Sequence, residues 1–278
     1  MRVTVFGATG LLGQALMREW RGDAITGLAS RDADIRDAKQ VQQIVRATNP
    51  EWIVLSAAYT DVDGCESNPD LAFAVNRDGA VNVAVAAGDV GARLLFLSSD
   101  YVFDGKKTTP YETDDERNPQ SVYGRSKAQA EISLLELMPD CCIVRTSWLF
   151  GVGGKCFPDT ILKLAVSRPA LDVVNDQRGS PTYVIDLARG IVQLCRQNVS
   201  GIVHVTNAGD CSWFEFAREI VRSAGLTTTV RPVSSAQMSR PAPRPAYSVL
   251  SAARMQALGI EMPSWQDALQ RYLEQRRD

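Results

Sequence analysis

A doubly wound α/β fold, with a parallel sheet buried between two layers of helices, is the architecture this sequence predicts. Two observations predict it. Short, continuous apolar runs alternate with longer stretches of helical spacing across the first half of the chain, the pattern of strands covered on both faces. The first of those runs also turns at once into Gly7-Ala8-Thr9-Gly10-Leu11-Leu12-Gly13, so a strand, a glycine turn and a helix follow one another.

Residues 3–6 are a β-branched and apolar strand, and Leu12, Ala15, Leu16 and Trp20 recur at helical spacing through 11–20. A second strand is expected over 24–29. A helix over 38–48 stops before Asn49-Pro50, and 52–56 forms the next strand. A long helix is expected from 69 to 90, ending near Gly91, and Leu94-Leu95-Phe96-Leu97 marks a strand over 93–98. After a loop with Pro110 and Pro119, a helix over 122–137 leads to a strand over 142–146. The crossovers between parallel strands are expected to be right-handed.

The second half is less regular. Gly151–Gly154 reads as a flexible loop, 171–174 as a short strand, 186–196 as a helix, and 202–205 as a strand; the last two can extend the main sheet. A helix is expected over 213–224. Residues 231–247, with Pro232, Pro241, Pro243 and Pro245, are expected to be an extended loop, and an amphipathic helix over 264–276 closes the chain.

Composition narrows the function classes. The 278 residues are 45% apolar and 22% charged, ordinary for a globular protein. A net charge of −2, from 30 Lys and Arg against 32 Asp and Glu, gives no basic excess for nucleic acid or a membrane surface. No apolar run is long enough for a membrane span, and no signal peptide is evident. Cys65, Cys141, Cys142, Cys156, Cys195 and Cys211 fall in no metal-ligand spacing, and His204 is the only histidine, so no metal is expected. Six reduced thiols in a cytoplasmic protein is the expectation.

The glycine turn points to a dinucleotide. Gly7 permits the tight turn, Gly10 lets the backbone approach a pyrophosphate, and Gly13 lets helix and strand pack closely. The helix then offers its free N–H groups to the phosphates. This is a Rossmann-type arrangement, spaced GxxGxxG. An NAD site usually has an acidic residue at the end of the second strand. Here Ser30 and Arg31 stand there and can accept a 2′-phosphate, which favours NADPH and leaves NADH open. Asp34, in Asp34-Ile35, can accept a hydrogen bond from an adenine amino group, while Asp37 fits better as the cap of the following helix.

Tyr123-Gly124-Arg125-Ser126-Lys127 opens a helix, and residues four apart share a face. Tyrosine, with a free pKa of about 10, becomes a usable acid at neutral pH when a neighbouring ammonium and a nicotinamide charge lower it. Ser99, at the end of the fourth strand, can hydrogen-bond a substrate carbonyl, because carboxyl strand ends face the ligand crevice in such sheets. Glycine turn, strand-end serine and YxxxK, in that order, predict an NAD(P)H-dependent oxidoreductase with Ser99, Tyr123 and Lys127 as its catalytic residues.

The chain further resembles the dTDP-4-dehydrorhamnose reductases, extended members of the short-chain dehydrogenases. Ser98-Ser99-Asp100-Tyr101-Val102-Phe103-Asp104-Gly105 carries the resemblance. So do Ala57-Ala58-Tyr59-Thr60 with Val62-Asp63, Pro110-Tyr111, Arg145-Thr146-Ser147-Trp148, Asp176–Thr182, Arg244-Pro245, and the C-terminal Leu258-Gly259-Ile260 and Pro263-Ser264-Trp265. It spans nearly the whole sequence. It implies reduction of the 4-keto group of dTDP-4-dehydro-β-L-rhamnose to dTDP-β-L-rhamnose. It assigns Leu11, Leu12, Asp34, Ile35, Ala57, Ala58, Tyr59 and Thr60 to the cofactor, and Val62, Ser99, Asp100, Tyr101 and Trp148 to the sugar, with Trp148 able to stack on the sugar's apolar face. A cofactor domain over 1–148 plus about 183–206, and a nucleotide-sugar domain over about 149–182 plus 207–278, are expected. A homodimer is left open.

Some residues depart from the resemblance. Ser99 stands where threonine is usual, Tyr247 where asparagine is common, and Ser251 where aspartate is. Related dehydratases carry an Asp-Glu pair after the serine or threonine, whereas Asp100 is followed by Tyr101. Two alternatives stand beside the reductase: another nucleotide-sugar 4-ketoreductase, and a non-catalytic binding protein similar to the regulatory subunit of methionine adenosyltransferase.

Overall fold

A computed structural model describes residues 1–276. The elements run β1 (Arg2–Phe6), α1 (Leu11–Glu19), β2 (Ala24–Leu28), α2 (Ala38–Thr48), β3 (Trp52–Leu55), α3 (Val62–Ser67), α4 (Pro69–Phe73), α5 (Gly79–Val90), β4 (Arg93–Ser99), α6 (Val122–Leu137) and β5 (Cys142–Thr146). Then come β6 (Leu149–Phe150), α7 (Phe157–Ser167), β7 (Ala170–Val174), β8 (Arg178–Gly179), β9 (Thr182–Tyr183), α8 (Val184–Arg196), β10 (Gly201–His204), β11 (Cys211–Ser212), α9 (Trp213–Ser223), β12 (Thr229–Val233), α10 (Ala253–Ala257) and α11 (Trp265–Gln275).

Six strands form the main sheet in the order β10-β5-β4-β3-β1-β2, every pair parallel. Side chains alternate between its faces, and both faces are buried. Val3, Val5, Trp52, Val54, Leu95, Leu97, Cys142 and Val144 pack on one face with Leu12, Leu16, Leu187 and Ile191 of α1 and α8. Phe6, Ile53, Leu55, Leu94, Phe96 and Ile143 pack on the other with α2, α5 and α6. Continuous apolar strands are the consequence, as the sequence requires. The chain leaves β1 for β2 on one side and returns to β3 on the other. That reversal opens a crevice beyond the carboxyl ends of the strands.

Two expectations need correction. The helix expected over 69–90 is interrupted by a π-helical turn, Ala74–Asp78. The buried side chain of Asn76 explains the break. Its Oδ1 accepts from Tyr59 N at 2.8 Å, and its Nδ2 donates to Tyr59 O at 3.1 Å and to Ser126 Oγ at 3.0 Å. The loop expected over 231–247 begins instead inside β12, which pairs in parallel with β7. Pro232 is tolerated because the sheet has only two strands, so one side of β12 needs no ladder donors. Helices α3, α7 and α10 and the short strands β6, β8, β9 and β11 were not expected.

Capping residues set several boundaries. The Asp37 carboxylate accepts from Lys39 N and Gln40 N at the start of α2. Ser121 Oγ accepts from Gly124 N at the start of α6, and Ser212 with Glu215 forms a capping box on α9. No helix among the described residues is long and apolar enough to cross a membrane.

Candidate active site

A cleft of about 830 Å³ lies along the carboxyl ends of the main strands. At one end the glycine turn forms its floor. Gly7 has φ +89°, and a Cβ there would lie 2.6 Å from Ala57 N, so β1 and the end of β3 approach as only glycine allows. A Cβ on Gly13 would lie 2.0 Å from Gly7 O. Gly10 caps α1 without a side-chain hydrogen bond, which leaves the first-turn N–H groups of α1 for an anion.

Of the residues expected to hold a cofactor, Gly7, Gly10, Leu11, Leu12, Gly13, Ser30, Asp34, Ile35, Ala57, Ala58 and Thr60 all line the cleft. Arg31 and Tyr59 do not. The Arg31 side chain is 85% exposed, and its nearest carboxylate is Asp32 at 3.6 Å. Tyr59 instead anchors its loop to Asn76. Arg36, which the sequence reading passed over, lines the cleft, with its Nη2 2.6 Å and its Nε 2.9 Å from the Asp34 carboxylate. That guanidinium holds the Asp34 carboxyl below its ordinary range.

Ser99, Tyr123 and Lys127 line the same cleft. β4 ends at Ser99, and the first two turns of α6 carry the other two. Lys127 is fully buried, its Nζ 4.0 Å from the centre of the Phe96 ring. Burial lowers its pKa to about 7, and the charge of Glu131 partly offsets that. Burial pushes the Tyr123 phenol above its ordinary value, with Ser99 as a partial offset. The expected lowering of that phenol is therefore not supplied by the chain's own groups, because desolvation outweighs them.

The Ser99 hydroxyl donates to Asp100 Oδ1 at 2.8 Å and accepts from Tyr101 N at 3.2 Å. Asp100 is buried, which raises its pKa to about 6. Its other oxygen and the Ser248 hydroxyl are both buried without a well-formed hydrogen bond. Tyr101 stands edge-on to Tyr123, ring centres 5.6 Å apart.

Beneath the site lies a buried charge network. Glu131 accepts from Arg145 Nε at 2.9 Å and Nη2 at 2.7 Å, from Arg117 at 2.5 Å and from Ser98 Oγ at 2.5 Å. His204 sits 3.4 Å from Arg145, and its pKa falls to about 3 through burial and that neighbouring cation.

Val62, Asp100, Tyr101 and Trp148 also line the cleft. Trp148 has φ +48°, a conformation that costs a non-glycine residue about 1–3 kcal/mol. Packing holds it there. Its ring stacks on Trp213 at 3.5 Å and 7°, and a Cβ on Gly179 would lie 2.6 Å from the indole. Trp213 and Lys155 line the cleft too, though the sequence reading singled out neither. Only the pairing of distant segments brings them there. Among the described residues no cluster of three His, Cys, Asp or Glu is arranged for a metal ion.

The chain is similar to known proteins along nearly its whole length. The model of the RmlD substrate binding domain family matches residues 1–277. The spore coat polysaccharide biosynthesis protein SpsK of Bacillus subtilis is 41% identical over 277 residues, covering 99% of this chain and 98% of that protein. A dTDP-4-dehydrorhamnose reductase of Mycobacterium tuberculosis is 42% identical over 278 residues, covering 96% of this chain and 91% of the relative. The solved structure of a dTDP-4-dehydrorhamnose reductase from Bacillus anthracis, in complex with NADP, matches with a TM-score of 0.96 at 41% identity, covering 99% of each chain.

Proposed function

The chain belongs to the RmlD substrate binding domain family, and from that premise we propose that it is an NADPH-dependent oxidoreductase that reduces the 4-keto group of dTDP-4-dehydro-β-L-rhamnose to give dTDP-β-L-rhamnose. One observation carries the reading: the glycine turn and the side chains of Ser99, Tyr123 and Lys127 all open into a single cleft. The uncapped first turn of α1 fits a pyrophosphate, and the wall from Ser30 to Arg36 fits the adenosine end.

Bound NADPH supplies the hydride that reduces the sugar carbonyl. The chain's own residues manage the oxygen. Tyr123, its phenol held protonated by burial, gives its proton to the oxygen that becomes the alcohol. Ser99 polarises the same oxygen, turning its hydroxyl away from Asp100 to do so. Lys127 lies one helical turn below Tyr123, and its positive charge favours transfer by stabilising the phenolate left behind. Trp148, backed by Trp213, gives the sugar an apolar wall, and Val62, Asp100 and Tyr101 complete it. The intact catalytic trio favours an enzyme over a binding module. This reading implies work in the cytoplasm on a dTDP-sugar.

The test compares wild type with Tyr123→Phe, following nicotinamide oxidation with dTDP-4-dehydrorhamnose generated in situ. Wild type is expected to turn over, and the variant to lose about 10²–10⁴-fold in kcat while binding NADPH as before. Wild type that binds NADPH yet leaves this sugar unreduced would sink the substrate assignment.

A further inference from the structure

The hydroxyls at the carboxyl ends of the two central strands beside the reaction centre are nearly all committed. Ser98 donates to Glu131 at 2.5 Å, Ser99 to Asp100 at 2.8 Å, and Ser147 to Ser180 O at 2.7 Å. Thr146 is the exception among the described residues of these two strand ends. It is only 5% exposed, and its Oγ1 is buried with no hydrogen-bond partner. It ends β5 in register with Ser99, and both residues line the cleft. Paired residues on neighbouring strands project to the same side, so the Thr146 side chain stands next to that of Ser99.

A buried hydroxyl without a partner is costly and is kept where something else supplies the partner. The sheet order says which reactant that is. β2 and β1 carry the adenosine and pyrophosphate ends, β4 carries Ser99, and β5 lies one strand further from the glycine turn. Beyond Thr146 the chain runs through Ser147 into Trp148, towards the Trp213 wall.

We propose that Thr146 is a specificity-determining residue of the keto-sugar site: its hydroxyl hydrogen-bonds the sugar hydroxyl adjacent to the carbonyl that is reduced. The inference rests on the reductase reading and goes beyond it by naming what the site demands of its substrate, a free hydroxyl on the neighbouring carbon. A site built to pair such a group discriminates against an analogue that lacks it.

The test is Thr146→Val, which keeps the shape and removes the hydroxyl, with Thr146→Ser as the conservative control. Three quantities are read: thermal midpoint, NADPH affinity by fluorescence titration, and kcat/KM for the keto sugar. Thr146→Val is expected to keep or raise the midpoint, to leave NADPH affinity within twofold, and to lose about tenfold in kcat/KM. Thr146→Ser is expected to recover most of that loss. A lowered midpoint would show that the hydroxyl serves the fold, weakened NADPH binding that it faces the cofactor, and unchanged kcat/KM that it meets no substrate group; each overturns the proposal. Wild type that binds NADPH without turning over this sugar overturns the reductase reading instead, and with it the inference.

Discussion

Tyr123 and Lys127 sit one helical turn apart, and burial moves their proton affinities in opposite directions. The phenol stays protonated across the physiological range, so Lys127 is the group that titrates near neutrality. Asp100, raised to about 6, titrates on the acid side. Activity is therefore expected to fall as pH rises through about 7, where the Lys127 ammonium loses its charge. A kcat–pH profile checks this, and Lys127→Arg, which cannot deprotonate, is expected to lack that limb whatever its absolute rate. Stability follows by linkage. The folded pKa lies near 7 against an ordinary 10.5, so between those values the unfolded chain binds more protons, and stability gains with rising pH. Lys127→Met is accordingly expected to raise the thermal midpoint most below pH 7, and the gain should vanish towards pH 10.5. The Tyr–Lys spacing could be read from sequence because it is local to one helix. The direction of the tyrosine's shift could not, because the phenol is desolvated by packing on residues distant in sequence, among them Cys65, Ala72 and Tyr101. Arg31 shows the same limit. Its position after β2 was legible, but its high exposure was not.

The elements whose boundaries follow from neighbouring residues were legible. Helix α2 begins at the Asp37 cap, α6 spans the expected 122–137, and the central strands β3, β4 and β5 carry the continuous buried apolar runs 52–55, 94–97 and 142–144. Breaks caused by distant partners were not. Asn76 interrupts its helix by bonding Tyr59 and Ser126, and Pro232 lies in a strand because β7 pairs with it. The first of these carries a prediction. Asn76→Ala would leave the part-buried N–H and C=O of Tyr59 without their amide partner, while Ser126 keeps its bond to Tyr123 O, a loss of roughly 1–3 kcal/mol, read from the urea midpoint. The Tyr59 loop adjoins Ala57, Ala58 and Thr60 in the cleft wall, so NADPH affinity is expected to weaken as well. A variant as stable as wild type would mean that the π-helical turn does not depend on this side chain.

At the scale of the whole molecule, the Glu131 network joins what the chain order keeps apart: Ser98 of β4, Glu131 of α6, Arg145 of β5, Arg117 and Thr113 of the connecting loop, and His204 of β10. Glu131 and Arg145 are completely buried. Removing Arg145 leaves the buried Glu131 carboxylate with Arg117 in place of two guanidiniums, at a cost towards the lower end of about 3–5 kcal/mol. Arg145→Met is expected to lose that much in urea unfolding, and Arg145→Met combined with Glu131→Gln to recover part of it, since the buried carboxylate that Arg117 alone must compensate is then gone. The network also bears on the reaction, because Glu131 lies one helical turn from Lys127 and raises its proton affinity. In Arg145→Met the carboxylate is no longer neutralised by that guanidinium and acts more strongly on the ammonium. The basic limb of the kcat–pH profile should then move to higher pH, whereas Glu131→Gln should move it lower. A limb that stays in place in both variants would confine the network to holding β4, β5 and α6 together, with no part in setting the charge beneath Tyr123.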